Sequence, residues 1–335
     1  MSQEDDAAQP SCIPWRGVLL LRPRFEEAGV TAADDLRTVR DFVRYAVSRF
    51  NAAEIVFGHG TTTALDEAAF IVLEGLHLPV DALDPWLDAR LTRAERARLA
   101  ELIEERCTSR KPAAYLLGRT YIRGVPFRSD ERAIVPRSFI GELLAGGLFG
   151  GEGFSLVPDP DAVERVLDLC TGGGSLAILA ALTFPNAEVD AVDLSPAALS
   201  LARENVTEHG LADRIALFEG DLFAPLKGRR YDLIITNPPY VDAEAMAALP
   251  AEYRHEPSLA FAGGPDGLDI VRRILAEAPA HLARAGGLIC EIGTGREILD
   301  EEYPHLPFLW LDTEDSEGEV FWLTARDLGA GKDLR

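Results

Sequence analysis

The sequence predicts an α/β protein: a doubly wound, mostly parallel sheet preceded by a small helical region. Three observations predict it. Between residues 36 and 103, apolar residues recur at helical spacing. From residue 163, short apolar runs alternate with helical patterns, as parallel strands joined by crossover helices require. Near the end, the apolar runs 307–311 and 320–323 have no helix between them, which suits an antiparallel pair.

The chain has 335 residues, 47% apolar and 26% charged, enough for two domains with sizeable cores. Lys and Arg number 33 against 55 Asp and Glu, a formal net charge of −22. Such a surface repels phosphate backbones, so no stable DNA binding is expected, and basic partners are favoured. Cys12, Cys107, Cys170 and Cys290 lie far apart with no C-x-x-C pair, which indicates neither a disulfide framework nor a metal site. The first ten residues are polar and acidic, unlike a signal peptide, and no apolar run approaches the roughly 20 residues of a membrane span. A cytoplasmic protein is the expectation. Residues 1–30 carry little pattern, and a mobile start is expected.

Leu36, Val39, Phe42, Val43, Ala46 and Phe50 share one helical face. A second helix is predicted over 65–76, with Asp66 and Glu67 in its first turn, where the helix dipole favours acids. A third begins at Thr92, which forms a capping-box pattern with Glu95 and offers Leu99, Leu102 and Ile103 to a core. Residues 121–127 read as a hairpin turning at Arg123-Gly124, and a short helix follows over 139–144. The Gly-rich stretch 146–153 reads as a connection. It has no buried strand before it and no Lys-Ser/Thr after it, so it is not a phosphate loop. The predicted strands are 165–169, 188–192, 215–219, 231–236, 287–292, 307–311 and 320–323.

Four strand ends carry candidate chemistry. Asp168-Leu169-Cys170-Thr171-Gly172-Gly173-Gly174 leads from the first strand into a helix, and its glycines allow close approach of a ligand. Asp193 ends the second strand, placed to accept the hydroxyls of a ribose, and Ser195-Pro196 starts the next helix. Asp221 ends the third, near an expected adenine site. A dinucleotide and S-adenosylmethionine compete for this loop. It lacks the G-x-G-x-x-G fingerprint and is similar to the methyltransferase form D-x-G-x-G-x-G, with Cys170 at the first Gly. Asn237-Pro238-Pro239-Tyr240 follows the fourth strand. The prolines lack N–H groups, so their carbonyls and the Asn oxygen are free to accept from a planar group bearing an NH2, beside the face of Tyr240. A tight turn is the bland alternative. Gly293-Thr294-Gly295 reads as an ordinary strand-to-helix turn.

From about residue 112 to 323 the chain resembles the glutamine amide N-methyltransferases that modify translation proteins. The resemblance is carried by Pro112-Ala113-Ala114-Tyr115-Leu116-Leu117-Gly118, the cofactor loop, Asn-Pro-Pro-Tyr and Gly264-Pro265-Asp266-Gly267-Leu268-Asp269. Val135-Pro136-Arg137-Ser138, with Ile140 and Glu142, the Cys170 loop, and 249–257 resemble the branch acting on the third protein of the large ribosomal subunit. The other branch acts on release factors. Phe139 replaces an expected Pro, and Gly173 an expected Ser or Thr.

The resemblance implies the Rossmann-like class I S-adenosylmethionine-dependent methyltransferase fold, seven-stranded and mostly parallel. It implies a helical substrate-recognition domain over 1–118, a hairpin linker over 119–137 and a catalytic domain over 138–335. Asn237, Pro238, Pro239 and Tyr240 would be catalytic. Asp168, Cys170, Thr171, Gly172, Gly173, Gly174, Asp193, Leu194, Asp221, Leu222 and Asn237 would hold S-adenosylmethionine. Arg137 and Glu142 would shape substrate entry or form an ion pair, and His255 is expected to be structural. A DNA amino-methyltransferase shares the Asn-Pro-Pro-Tyr motif, but needs a basic groove that the acidic balance opposes. A binding module without catalysis is opposed by the intact Asn237, Asp168 and Asp193.

Overall fold

The computed structural model describes residues 34–146, 148–150, 155–313 and 316–329. The expected mobile start, Cys12 and most of the Gly-rich connection lie outside the described residues.

Helices α1 (Val39–Ala52), α2 (Ala64–Gly75) and α3 (Arg93–Ser109) form a small bundle, followed by the short α4 (Ala113–Leu117). Thr38 and Thr92 make complete capping boxes with Asp41 and Glu95, and Thr63 caps α2. Val39, Phe42, Val43, Ala46 and Phe50 meet Ile71 and Val72 of α2 and Leu99 and Ile103 of α3 in one core, with Leu102 at its margin. Each such buried side chain contributes about 1.5–3 kcal/mol. Inside the bundle, Arg106 Nε donates to Glu67 Oε1 at 2.6 Å, and both side chains are buried.

The hairpin β1 (Arg119–Ile122) and β2 (Val125–Arg128) turns at Arg123 and Gly124, both at positive φ, as the right-handed twist of a two-residue hairpin requires. Ile122 and Phe127 join the core of the main sheet.

That sheet runs β5-β4-β3-β6-β7-β9-β8. Strands β3 (Arg165–Leu169), β4 (Glu188–Asp193), β5 (Ile215–Glu219), β6 (Tyr231–Thr236) and β7 (Leu282–Glu291) are parallel. Strand β9 (Val320–Thr324) pairs antiparallel with both β7 and β8 (Leu309–Leu311). The sequence places β7 at 287–292, but the strand starts at Leu282, with an irregularity opposite Tyr231 and Leu233. Gly286 and Gly287 make this possible: a Cβ on Gly286 would lie 2.7 Å from Tyr231 O, and one on Gly287 2.1 Å from the Trp322 ring. Helices α5 (Phe139–Ala145), α6 (Ser175–Thr183), α7 (Pro196–Glu208), α9 (Asp269–His281) and α10 (Arg296–Glu302) pack around the sheet, and the six-residue α8 (Ala243–Ala248) precedes α9 in the chain. Val166 and Leu167, neighbours on β3, enter different cores, so the sheet is buried on both faces.

Strand order reverses between β3 and β6, and ligands of open α/β sheets bind at such a switch point. Leu169 pairs with Thr236, so Cys170 and Asn237 leave the sheet as neighbours. Among the described residues, no helix is long and apolar enough to cross a membrane.

Candidate active site

The loop after β3 is shaped by three positive-φ positions: Cys170 (58°), Gly172 (54°) and Gly174 (82°). These are the three glycine positions of the D-x-G-x-G-x-G pattern, so Cys170 adopts a left-handed conformation that a glycine would take at less cost. A Cβ on Gly174 would lie 3.1 Å from Ala202 Cβ, which shows how closely α7 passes.

Asp168 is fully buried behind this loop. Its Oδ2 accepts from Thr171 Oγ1 at 2.6 Å, while Oδ1 has no hydrogen-bond partner. Burial, opposed by the Thr171 hydroxyl and the Ala177 N–H, pushes its pKa up to about 7. Asp193 is anchored by backbone: Oδ2 accepts from Gly172 N and Oδ1 from Ser195 N, both at 2.8 Å. Its pKa is raised by burial, which these N–H bonds oppose. Asp221 pairs with Arg273 at 2.8 Å.

A cleft of about 890 Å³, counting its open mouth, brings together Cys170, Gly172, Asp193, Leu194, Asp221, Leu222 and Asn237. Pro239 also lines it, whereas Asp168, Thr171, Gly173 and Gly174 do not. Ile134, Leu259 and Ile270, which the sequence reading passed over, complete its apolar lining.

A second cavity, about 660 Å³, is lined by Asn237, Pro238 and Tyr240 together with Arg137, Leu249, Tyr253 and Phe261. Asn237 therefore borders both spaces. Neither the Asn237 side-chain amide nor the Pro238 carbonyl makes a hydrogen bond with any described residue. A carboxamide oxygen and a carbonyl oxygen, both unpaired and from consecutive residues lining one cavity, can take both N–H groups of an NH2.

Two buried carboxylates absent from the sequence-based set hold this arrangement. Glu291, at the end of β7, accepts from Tyr240 Oη (2.9 Å), Ser138 Oγ (2.7 Å) and Phe139 N (2.9 Å). Burial raises its pKa. Glu256 accepts from Val135 N (2.8 Å), Arg137 Nη1 (2.8 Å) and Nη2 (3.0 Å), and lies 3.1 Å from His59 Nε2. Burial alone would raise its pKa, but the His59 hydrogen bond and the Arg137 charge pull it down to about 2. Glu256 falls within the 249–257 segment that carries the family resemblance and Glu291 within a predicted strand, but the sequence reading singles out neither as a site residue. Each became identifiable only when the fold brought its distant partners together.

Glycines complete the site. Gly293, read as a simple turn, also leaves room for Tyr240, since a Cβ there would lie 2.8 Å from the ring. A Cβ on Gly267 would lie 2.3 Å from Tyr240 O, so the Gly264–Asp269 segment sets the path of the chain leaving Asn-Pro-Pro-Tyr. Arg137 and Glu142 do not pair with each other: Arg137 binds Glu256, and Glu142 lies 2.9 Å from Arg123. His255 Nε2 meets Ser109 O at 2.9 Å, a structural contact.

Residues 155–252 match the methyltransferase small domain. A ribosomal protein uL3 glutamine methyltransferase of Bradyrhizobium diazoefficiens is 64% identical over 88% of this chain and 92% of its own length. One of the same description from Bordetella pertussis is 54% identical over 88% of this chain and 97% of its own. A solved methyltransferase from Pyrococcus furiosus superposes with a TM-score of 0.43 at 17% identity, covering 61% of this chain and 90% of that one. The chain belongs to the family of ribosomal protein uL3 glutamine methyltransferases.

Proposed function

We propose that this chain transfers a methyl group from S-adenosylmethionine to the side-chain amide nitrogen of a glutamine in ribosomal protein uL3. The single observation that carries the reading is the unpaired acceptor pair of the second cavity, Asn237 and Pro238, with Asn237 also bordering the donor cleft.

The cleft fits the methyl donor in three respects. Beneath the loop, and outside the lining itself, the buried Asp168 carboxyl, whose Oδ1 has no partner among the described residues, offers negative charge to an ammonium group on the cleft side. Asp193, fixed by two backbone N–H groups, retains lone pairs for a ribose diol. Leu194, Leu222 and Ile270 offer apolar surface to a base. When bound there, S-adenosylmethionine supplies an electrophilic methyl group.

The chain's own residues then orient the amide. An amide nitrogen is a poor nucleophile, because its lone pair is delocalised into the carbonyl. Asn237 Oδ1 and Pro238 O accept its two N–H bonds and hold the nitrogen toward the donor cleft, a gain from orientation. The same acceptors stabilise the positive charge that grows on nitrogen in the transition state. Tyr240, held by Glu291, packs beside the amide. The prolines fix this array in advance.

The relatives' description favours uL3 over a release factor. The −22 charge favours a basic protein over DNA. A cytoplasmic site of action fits a ribosomal substrate. The region 1–118 is assigned to substrate recognition and 138–335 to catalysis. Methylation with labelled donor should be run with uL3, a release factor and DNA side by side. Label on a uL3 glutamine is expected, and label chiefly on DNA would overturn the reading.

A further inference from the structure

The proposed reading gives both N–H groups of the substrate amide an acceptor and leaves its carbonyl oxygen without a donor. That oxygen carries most of the group's partial negative charge and is the more nucleophilic end of a free amide. Burying it unpaired is costly. The NH2 and O ends are also nearly equal in size, so shape alone cannot decide which one faces the methyl group.

The second cavity contains a matching donor. Arg137 lines it beside Asn237 and Pro238, with 23% of its side chain exposed. Its Nη1 donates to Val135 O at 3.1 Å and to Glu256 Oε1 at 2.8 Å, and its Nη2 to Glu256 Oε2 at 3.0 Å. A guanidinium has five N–H groups. The Nε–H and one Nη2–H have no acceptor among the described residues. The group is also rigid. Its Cζ lies 5.6 Å from the centroids of both Tyr253 and Phe261, and Glu256 is itself fixed by Val135 N and by His59 of the bundle. An arginine clamped on one edge, flanked by aromatic rings, lining a cavity and with donors to spare, suits an acceptor entering that cavity.

We propose that Arg137 donates to the carbonyl oxygen of the substrate glutamine, so that the amide is read at both ends. This rests on the glutamine-methylation reading above. Acceptors select the nitrogen, and a fixed cation occupies the oxygen and keeps it away from the methyl group. Glutamate is rejected, because pairing one carboxylate oxygen with Arg137 turns the other against Asn237 Oδ1 and Pro238 O. A hydrogen bond to oxygen draws density away from nitrogen, so Arg137 positions the substrate and does not activate it. Its effect therefore falls mainly on KM for the protein substrate. His59, through Glu256, makes the helical bundle part of this cavity's support.

The test is steady-state methylation of uL3 by wild type, Arg137→Gln and Arg137→Lys, with donor affinity measured calorimetrically on each. Arg137→Gln should raise KM for uL3 about 10- to 100-fold, as loss of a charge-assisted hydrogen bond predicts. Lysine, still a cation, should recover part of the loss. Donor affinity should stay within about twofold, since Arg137 does not line the donor cleft. If Arg137→Gln folds poorly because Glu256 is left buried and unpaired, Arg137→Gln with Glu256→Gln removes both charges, and the same KM increase is expected. A KM within twofold of wild type in a variant that binds donor normally overturns the assignment of Arg137 alone. Failure of wild type to label any glutamine overturns the glutamine reading and the assignment together.

Discussion

The two cavities that meet at Asn237 are built in opposite ways. The acidic side of the donor cleft comes from successive strand ends, Cys170 and Gly172, Asp193 to Ser195, and Gly220 to Leu222, while Ile134, Leu259 and Ile270 close it with apolar surface. The polar contacts of its three acids span at most 52 residues, from Asp168 with Thr171 and Asp193 with Ser195 and Gly172 to Asp221 with Arg273. The acceptor cavity is assembled from segments more than 100 residues apart. Glu256 reaches Val135, Arg137 and His59, and Glu291 reaches Ser138. A common methyl donor is recognised by features close in sequence, whereas a specific protein side chain is received by features that tertiary packing must bring together.

The largest expected effect tests whether the two sides are separable. Asn237→Ala should lower kcat about 10²- to 10³-fold, as removal of one transition-state hydrogen-bonding group does, while donor affinity stays near wild type. Turnover close to wild type would remove Asn237 from the mechanism. Loss of donor binding as well would mean that the shared wall is one site and not two.

The same contrast explains what could be read from the sequence. The alternation of strands and helices and the terminal antiparallel pair were legible, because burial on both faces forces continuous apolar runs with turn residues between them. Gly172 and Gly174 were legible because a backbone requirement for positive φ writes itself into residue choice, whereas Cys170, at the same kind of φ, was legible only by its place in the loop pattern. The early start of β7 was not, since Ala283 to Gly286 carries no apolar run, and the strand depends on glycines passing close to Tyr231 and Trp322. Glu256 and Glu291 were not legible either. A lone glutamate, whether at a strand end like Glu291 or after a short turn like Glu256, looks like a solvated charge until its partners are known. Of the two alternatives for Arg137 and Glu142, the ion pair is not formed, since the fold supplies Glu256 to Arg137, and Arg137 lines the second cavity.

The next effect concerns stability on the acceptor side. Glu256→Gln leaves Arg137 without its anionic partner and should cost about 3 kcal/mol in urea unfolding. Because its folded pKa is pulled down to about 2, the Glu256 contribution is fully present above the ordinary carboxylate value and is lost as pH falls toward 2. The variant should therefore show a flatter acid limb than wild type. Equal unfolding midpoints at pH 7 would show that this buried hub does not hold the acceptor cavity together.

On the donor side, Asp193→Ala should weaken donor binding about 10- to 100-fold by calorimetry, the value of hydrogen bonds to a charged acceptor. The Gly172 and Ser195 N–H groups that it anchors would also be released. An unchanged dissociation constant would mean that the ribose is held elsewhere.

The smallest effect is the most diagnostic of how the donor is gripped. Burial holds Asp168 near pKa 7. From about pH 4 to 7 the folded chain thus keeps a proton that the unfolded carboxyl has released, and the stability contributed by this group falls as pH rises through that window. An ammonium group arriving above the loop that covers Asp168 favours the ionised carboxylate, so binding should release a proton near neutrality. Donor affinity should then rise from pH 6 to pH 7, by at most about tenfold per unit, and flatten above. The donor's own α-amino group titrates near 8 in the opposite sense, which reinforces the flattening. Asp168→Asn separates the two: it should abolish the rise below pH 7 and keep any decline above 8. A wild-type dissociation constant independent of pH between 6 and 7, with no proton release in buffers of different ionisation heat, would show that Asp168 shapes the loop without meeting the donor's charge. The donor side would then rest on Asp193 and backbone alone, and the contrast with the carboxylate-built acceptor side would be sharper than the structure now makes it.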